Sequence, residues 1–295
     1  MVPEYSFAFG RDHGLVGTLT QVSAECPASI SRGLILFNAG VLHRVGPHRL
    51  HVNIARLAAV AGVPTLRFDL HGHGDSLRPG GELGYDEQVD ADLHDAIDEL
   101  SRRCGVERIA ILGFCSGALP TYRAALAHHC VDSILLYDAF SYPTLRSRLR
   151  RGILLLRHHG PLGTLRGVGA RLLQRLSRRH QALGNQPVDP PISRGELVRG
   201  FNLLAQRGVR VVLAYSGGAF DEVNYAGQFR DATRRYGLSD RVAVEFEPDI
   251  NHVVTSLAAQ DSFRDLILRR WLRLAEVPGP ADIPELDTDA GPEAR

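Results

Sequence analysis

Short apolar segments alternate with longer amphipathic ones along most of this chain, and that alternation restricts its possible folds more than any other feature. The segments Gly33–Asn38 and Arg108–Leu112 are largely apolar, which is typical of parallel strands buried on both faces. Between them, Leu50, Ile54 and Leu57 recur at the spacing of one helix face. Repeated strand–helix units predict an α/β fold with a mostly parallel central sheet flanked by helices.

The same pattern extends over most of the sequence. A hairpin is predicted near the N-terminus from the segments Tyr5–Phe9 and Leu15–Ser23. A second amphipathic helix is predicted from the apolar stripe of Val89, Leu93 and Leu100. The remaining predicted elements are strands at Val63–Asp69, Ser133–Tyr137, Val209–Tyr215 and Val242–Phe246, and helices at Gly117–His128, at Glu222–Tyr236 and around Phe263, Ile267 and Trp271.

Two segments interrupt or end this alternation. Residues 144–189 are rich in Leu and Arg, and the ten arginines from Arg146 to Arg179 meet no acidic residue, so we expect a helical cap over the ends of the strands. The predicted core therefore comprises residues 1–143 and 190–275. Residues 276–295 contain six acidic residues and four prolines without apolar periodicity, so we expect a disordered acidic tail there.

Charge and residue usage exclude several classes of function. Among the 295 residues, 34 basic residues are balanced by 33 acidic ones, whereas a nucleic-acid-binding domain usually carries a basic excess. All the basic residues are arginines, so the chain can use neither a lysine Schiff base nor a P-loop lysine. We expect no nucleic-acid partner and no cofactor.

The N-terminus and the cysteines bear on location. The first residues lack a basic region followed by an apolar core, and no apolar run reaches the roughly 18 residues that span a bilayer. Cys26, Cys104, Cys115 and Cys130 form no C-x-x-C pair, so we expect free thiols. These features predict a cytoplasmic protein without a membrane span.

The strongest local signal for chemistry is the motif Gly113-Phe-Cys-Ser-Gly117, which follows a predicted strand and precedes a predicted helix. Glycines two residues before and after a nucleophile are typical of a sharp strand-to-helix turn called the nucleophile elbow. The glycines frame Cys115, whereas the flanks of Ser116 at the same offsets are Phe114 and Ala118. The frame therefore favours Cys115 over Ser116 as the nucleophile. The alternative is a buried structural cysteine.

Three motifs together resemble a known family. Phe37–Arg49, Asp69–Ser76 and Gly113–Ala118 are similar to the corresponding motifs of α/β-hydrolases in the serine-aminopeptidase-like group, especially the exosortase-A-system-associated hydrolases. The resemblance spans roughly residues 30–275 and implies the α/β-hydrolase fold. It also implies a catalytic triad in the chain order nucleophile, acid, base.

The resemblance assigns the remaining triad positions. His252 follows the last predicted strand, where α/β-hydrolases carry the base, and it would move protons to and from Cys115 and the leaving group. Asp221, after the strand that ends at Tyr215, is the best match for the acid. Glu222 and Asp138 stay open as alternatives.

The same resemblance implies an oxyanion hole. One donor would be the backbone N–H of Ser116, and the other would come from the loop after the strand ending at Asn38, from Gly40 or Val41. The glycine in this loop would also be explained by a turn alone.

A metal site is the rival chemistry. His71-Gly-His73-Gly-Asp75 matches the first part of the H-x-H-x-D-H ligand run of metallo-hydrolases. The sixth position is Ser76 rather than histidine, and a glycine-rich turn explains the segment without a metal. We therefore expect no metal.

These observations predict a hydrolase that cleaves an ester or thioester through a Cys115–His252–Asp221 triad and an acyl-thioester intermediate. The alternatives are an acyltransferase that moves the acyl group to an alcohol or amine, and a non-catalytic binding protein on a hydrolase scaffold. An arginine-rich cap would suit an anionic substrate such as acyl-CoA or an acyl carrier protein, although solvated helix faces would look the same.

Overall fold

A computed structural model of the chain describes residues 2–22, 31–38, 40–81, 83–154, 156–157, 192–217 and 223–274. The described residues form an eight-stranded sheet with the strand order β1-β2-β4-β3-β5-β6-β7-β8. The strands are β1 Glu4–Phe9, β2 Leu15–Thr20, β3 Arg32–Phe37, β4 Thr65–Asp69, β5 Arg108–Phe114, β6 Val131–Tyr137, β7 Arg210–Ser216 and β8 Ala243–Glu247.

The sheet is mostly parallel. Strands β1 and β2 form the antiparallel hairpin that the sequence predicts, and β2 also pairs antiparallel with β4. All other neighbours pair in parallel, from β4 through β3, β5, β6 and β7 to β8. The carboxyl ends of these strands therefore meet at one edge of the sheet, where ligands bind in open α/β sheets.

Helices cover both faces of the sheet. Helices α2, α3, α5 and α6 contribute to one hydrophobic cluster, and α1 and α7 contribute to the other. Strand β5 serves both clusters, because Ile109 and Ile111 belong to the first while Ala110 and Leu112 belong to the second. The helices are α1 Leu50–Val60, α2 Tyr85–Cys104, α3 Ala118–Ala127, α4 at residues 145–154, α5 Arg194–Gln206, α6 Gln228–Thr233 and α7 Leu257–Asp265.

The predicted strands and helices are largely present, with three differences. Helix α6 begins only at Gln228 and passes into a 3-10 turn at Arg234. Just before the helix, the backbone N–H of Asn224 donates to the side chain of Gln228. Helix α7 continues as a π-helical segment over Leu266–Trp271. Helix α5 was not predicted, although Ser193 and Glu196 form a capping box at its start.

The predicted cap and tail are only partly observable. Helix α4 occupies the first part of the segment 144–189, whereas residues 158–191 and the tail 275–295 lie outside the described residues. Among the described residues, no helix is both long and apolar enough to span a membrane.

Candidate active site

Cys115 lies at the sharp turn between β5 and α3. It opens a 3-10 turn, Cys115–Gly117, and its backbone φ is 53°, in the left-handed region that residues with a Cβ rarely adopt. Such backbone strain persists only where the surrounding structure enforces it, and it concentrates at functional sites. The turn leaves the Cys115 side chain half-buried at the carboxyl edge of the sheet.

The two flanking glycines are needed for steric reasons. A Cβ at Gly113 would lie 2.7 Å from Thr121 Oγ1 and 2.8 Å from the Cα of Ala118, so any side chain there would push α3 away from β5. A Cβ at Gly117 would lie 3.1 Å from the ring of Phe37, which is also tight. The glycine frame is therefore a property of this turn and is centred on Cys115.

His252 is hydrogen-bonded to a carboxylate on the neighbouring part of the sheet edge. Its Nδ1 lies 2.8 Å from Oδ2 of Asp138, the residue that directly follows β6. The backbone φ of Asp138 is 48°, so this residue adopts the same unusual conformation as Cys115. The carboxylate fixes the Nδ1 edge of the imidazole and leaves Nε2 for a different partner.

The carboxylate of Asp138 is itself rigidly placed. The backbone N–H and the hydroxyl of Ser216, at the end of β7, each donate to it at 2.6 Å. The backbone N–H of Asp138 donates to the carbonyl of Ala214 at 2.9 Å. Only 1% of the Asp138 side chain is exposed, so the buried charge is balanced by these donors and by His252.

Cys115 is the second group that acts on His252. The Asp138 carboxylate, and after it the nearby Cys115 side chain, raise the pKa of His252 to about 10, against the opposing effect of partial burial. A cationic imidazole beside a cysteine is the kind of environment in which reactive cysteines occur.

Two aromatic rings pack against the imidazole of His252. The Tyr137 ring stacks on His252 at 6.3 Å and 16°, and Phe114 lies 6.0 Å from it. The Tyr137 hydroxyl donates to the carbonyl of Asn251 at 3.0 Å, and burial raises the pKa of that hydroxyl, so it stays protonated. These contacts restrict the ring plane of His252.

The loop after β3 approaches the elbow. The backbone N–H of Gly40 donates to the hydroxyl of Ser116 at 2.7 Å, and Gly40 has a φ of 57°. Val41 is 88% exposed. The structure thus places Gly40 beside the residue that follows Cys115, with its N–H bonded to a side chain.

Several solved structures resemble this one. An esterase from Pyrococcus furiosus matches with a TM-score of 0.52 and 15% identity over 92% of this chain and 93% of the other. An α/β serine hydrolase homologue from Coxiella burnetii matches with a TM-score of 0.54 and 14% identity over 90% and 96%. The chain has the α/β-hydrolase fold. A lidless α/β serine hydrolase from Xanthomonas campestris also matches, with a TM-score of 0.51 and 14% identity over 94% and 97%.

Sequence comparison adds nothing to this assignment of the fold. No protein-family model matches the chain, and no curated protein does. Two of the structural neighbours are serine hydrolases by name, whereas the glycine frame of this α/β-hydrolase-fold protein is centred on Cys115.

The residues singled out from the sequence are partly brought together. Cys115 and His252 lie near enough for Cys115 to raise the pKa of the imidazole. Asp221 and Glu222 lie outside the described residues. Asp138, which the sequence left as an alternative, bonds to His252 and lies between Cys115 and His252 in chain order.

The supporting residue Ser216 was not anticipated from the sequence. Its position as the last residue of β7 is readable from the strand pattern, but its contact with Asp138 depends on strand pairing. No local sequence motif predicts such a contact.

The histidine- and aspartate-rich segment after β4 has a structural role. Buried Asp69 accepts hydrogen bonds from the backbone N–H and the guanidinium of Arg44 and from the amide of Asn38 at 2.9 Å. A Cβ at Gly74 would lie 2.3 Å from the Asp69 carboxylate, which explains the glycine in the turn. The segment thereby anchors the loop that carries Gly40.

The one group of possible metal ligands found among the described residues combines His43, from the loop after β3, with Asp69 and Asp75, and it includes neither His71 nor His73. The side chains of His43, Asp69 and Asp75 lie close enough to share an ion. However, the Arg44 guanidinium contacts both carboxylates, with 2.7 Å to Asp75. The same contact, with that of His43, lowers the pKa of Asp75. A guanidinium already neutralises this pair of acids, so the donor set does not fit a divalent cation.

Proposed function

We propose that this protein is an acyl-transfer hydrolase that cleaves an ester or thioester through Cys115, His252 and Asp138. The observation that carries the proposal is the His252–Asp138 hydrogen bond beside Cys115, which lies at a strained, glycine-framed turn and is near enough to raise the pKa of His252. Nucleophile, base and orienting acid within hydrogen-bond reach are the signature of covalent catalysis.

Asp138 takes the acid role in this proposal in place of Asp221. Its carboxylate already contacts the imidazole and is fixed by the two donors of Ser216. Because Asp138 already occupies His252 Nδ1, that nitrogen has no position left for a second acid.

The first half of the reaction forms the acyl-enzyme. The Cys115 thiolate attacks the substrate carbonyl carbon, and a C–S bond forms as the carbonyl oxygen becomes an oxyanion. The C–O or C–S bond to the leaving group then breaks, and the His252 imidazolium gives its proton to the departing alcohol or thiol. Cys115 is left as an acyl thioester, and His252 is neutral.

The second half regenerates the enzyme. Neutral His252 accepts a proton from water, which attacks the acyl carbon. The C–S bond then breaks, the carboxylic acid leaves, and the thiolate–imidazolium pair forms again. Asp138 keeps the imidazole oriented and stabilises its protonated form throughout.

The proposed oxyanion hole combines the backbone N–H groups of Ser116 and Gly40. The Gly40 N–H is bonded to the Ser116 hydroxyl at 2.7 Å, so a substrate oxygen would displace that hydroxyl. Donors placed at the developing negative charge are often the largest single contribution to catalysis of this type.

The protonation of His252 favours sulfur over oxygen as the nucleophile. A serine hydroxyl needs a neutral imidazole to take its proton, but the pKa of His252 is raised to about 10. A thiolate paired with an imidazolium needs no further deprotonation before attack. Ser116, which is not at the centre of the glycine frame, is therefore not the nucleophile in this proposal.

Peptide mass spectrometry tests the proposal directly. The protein is mixed with acyl thioesters of N-acetylcysteamine and with p-nitrophenyl acyl esters, then quenched in acid and digested. We expect one acyl mass on the peptide that contains Cys115, and free carboxylic acid in solution. The Cys115→Ala variant should show neither, whereas Cys104→Ala and Cys130→Ala should behave like wild type.

Two results would contradict the proposal. Product analysis that finds ester or amide in the presence of alcohols or amines, with no free acid, would indicate an acyltransferase. Equal alkylation of Cys115, Cys104 and Cys130 by iodoacetamide near neutral pH, without any acyl adduct, would indicate a non-catalytic binding protein.

A further inference from the structure

An open groove of about 740 Å³ lies beside the loop that follows β6, and it is not part of the hydrogen-bonded series at Cys115. Pro143, Leu145 and Ala232 give its lining some apolar surface. Its volume is within the usual range for small-molecule sites. The guanidinium groups in the lining belong to Arg148, Arg194, Arg234 and Arg235.

The charge of this groove is poorly compensated. Its one acid, Asp231, accepts a hydrogen bond at 2.7 Å from the Tyr225 hydroxyl. Among the ion pairs between described residues, none includes any of the four lining arginines. The groove therefore presents an excess of positive charge to solvent.

Aromatic rings, rather than carboxylates, position the surrounding arginines. The Arg194 guanidinium lies 5.1 Å from the Tyr142 ring. Arg146 and Arg150 lie 4.6 and 5.3 Å from the Tyr225 ring. A guanidinium that stacks on a ring keeps N–H donors in its plane available for an anion.

The groove is close to the proposed catalytic groups. Pro143 follows Asp138 by five residues, so their Cα atoms are separated by at most about 18 Å. A substrate with a long flexible arm can therefore place a reactive carbonyl at Cys115 while its far end occupies the groove.

We propose that this groove binds the phosphate groups of a coenzyme A thioester, so that the acyl group is delivered from a phosphate-bearing thiol. The inference rests on the proposed function and names its substrate class. Arginine forks recognise phosphate oxygens with paired hydrogen bonds, which suits a lining of four guanidinium groups. A groove of about 740 Å³ has the size of a small-molecule site, whereas a carrier protein docks over a larger surface.

Steady-state kinetics with two thioesters of the same acyl group test this site. Acyl-CoA carries the phosphates, whereas the acyl thioester of N-acetylcysteamine lacks them. The variant Arg148→Gln/Arg234→Gln removes two exposed charges whose side chains make no hydrogen bond to other described residues. We expect kcat/KM for acyl-CoA to fall at least about tenfold, mainly through KM, with no change for the truncated thioester.

A matched double variant controls for loss of charge. Arg102→Gln/Arg269→Gln also removes two positive charges, from exposed ion pairs on α2 and in the segment after α7. Exposed pairs of this kind contribute little to stability. This variant should leave both thioesters unaffected.

The outcomes separate the groove from the proposed function. If wild type hydrolyses both thioesters and the groove variant slows neither, the CoA site is wrong while the hydrolase stands. The groove variant is also assayed with the same acyl group on an acyl carrier protein. If it slows only that substrate, the groove docks a protein and this inference is overturned. If wild type hydrolyses neither thioester nor the p-nitrophenyl acyl esters, the proposed function fails. Binding of free CoA by titration calorimetry then decides the groove alone, with loss of binding in the groove variant as the expected result.

Discussion

Two histidine–carboxylate pairs in this molecule look alike at first sight. His252 Nδ1 lies 2.8 Å from Asp138, and His71 Nδ1 lies 2.6 Å from Asp92. Both carboxylates are 1% exposed, and both accept further hydrogen bonds, for Asp92 from the backbone N–H of His71 at 2.8 Å. In both pairs, therefore, a buried and further hydrogen-bonded carboxylate holds the Nδ1 atom of the histidine.

The pairs differ at the other nitrogen of the ring. His252 is 41% exposed and lies near enough to Cys115 for that side chain to raise its pKa. His71 is 10% exposed, and Gly14 packs so closely on its Nε2 that a Cβ there would lie 2.4 Å away. A buried carboxylate orients an imidazole in either setting, but only a ring whose far nitrogen contacts a nucleophile is equipped for proton transfer.

Removal of Cys115 should have the largest effect, because it deletes the group that distinguishes the two pairs. We expect Cys115→Ala to reduce kcat/KM for a thioester by about 10⁴-fold or more, and Cys115→Ser to leave trace activity, since a hydroxyl is a much weaker nucleophile beside a protonated imidazole. Stopped assays that quantify free acid measure both. Wild-type activity in the serine variant would show that sulfur is not required.

Replacement of each histidine by leucine compares the two rings directly. His252→Leu should lower kcat/KM by about 10³-fold, with little change in Tm. His71→Leu should leave kcat/KM within about twofold and destabilise the protein by about 1–3 kcal/mol, because buried Asp92 loses a donor. Kinetics and thermal unfolding on the same preparations measure both quantities. The interpretation fails if the two variants exchange these effects.

Replacement of the carboxylates tests how the pKa of His252 is set. Asp138→Asn removes the first cause of the upward shift, so the pKa of His252 should fall from about 10 towards its ordinary value. Because catalysis needs the imidazolium, activity should be lost on the alkaline side of the pH profile, and the variant should lose it at lower pH than wild type. At pH 8 we expect about a 10²-fold lower kcat/KM.

Two matched variants accompany that experiment. Asp92→Asn should leave the pH profile of activity unchanged. Asp221→Asn tests the acid that the sequence favoured, and it too should leave the profile unchanged. A larger effect from Asp221 than from Asp138 would return the acid role to Asp221.

The smallest expected effect is at Ser116, whose hydroxyl occupies the Gly40 N–H. Ser116→Ala should free that donor for the substrate oxygen and raise kcat/KM by about threefold, the equivalent of one modest hydrogen bond. Ser76→Ala is the matched control and should leave kcat/KM unchanged, because the Ser76 hydroxyl donates to the Asp69 carbonyl at 2.6 Å rather than to the loop that carries Gly40. A tenfold loss in the Ser116 variant would show that the hydroxyl itself assists the reaction.

The fold was largely predictable from sequence because its signals are local. Apolar strand segments and the Gly113–Gly117 frame report on burial and on one turn, and both are visible without knowledge of strand order. Even so, α5 was missed, although the Ser193 and Glu196 capping box marks its start. Helix α6 was predicted too long, since periodicity alone does not register Gly227 or the Asn224–Gln228 bond.

The carboxylate that bonds to His252 was harder to predict because its placement depends on distant contacts. Both Asp138 and Asp221 follow predicted strands, so the sequence allows either to reach a late histidine. The bond between Asp138 and His252 depends on the left-handed backbone of Asp138 and on the donors of Ser216, which come from the adjacent strand. Neither property has a signature in the residues around Asp138.

The pairing of β5 with β6 has a consequence for how this protein can change. Phe114 and Tyr137 are partners in the ladder, so the residues that follow them, Cys115 and Asp138, emerge side by side from adjacent strands. Their spacing is set by the main-chain ladder and not by any long connection. Selection or laboratory evolution can therefore change the connecting segments without moving Cys115 and Asp138 apart.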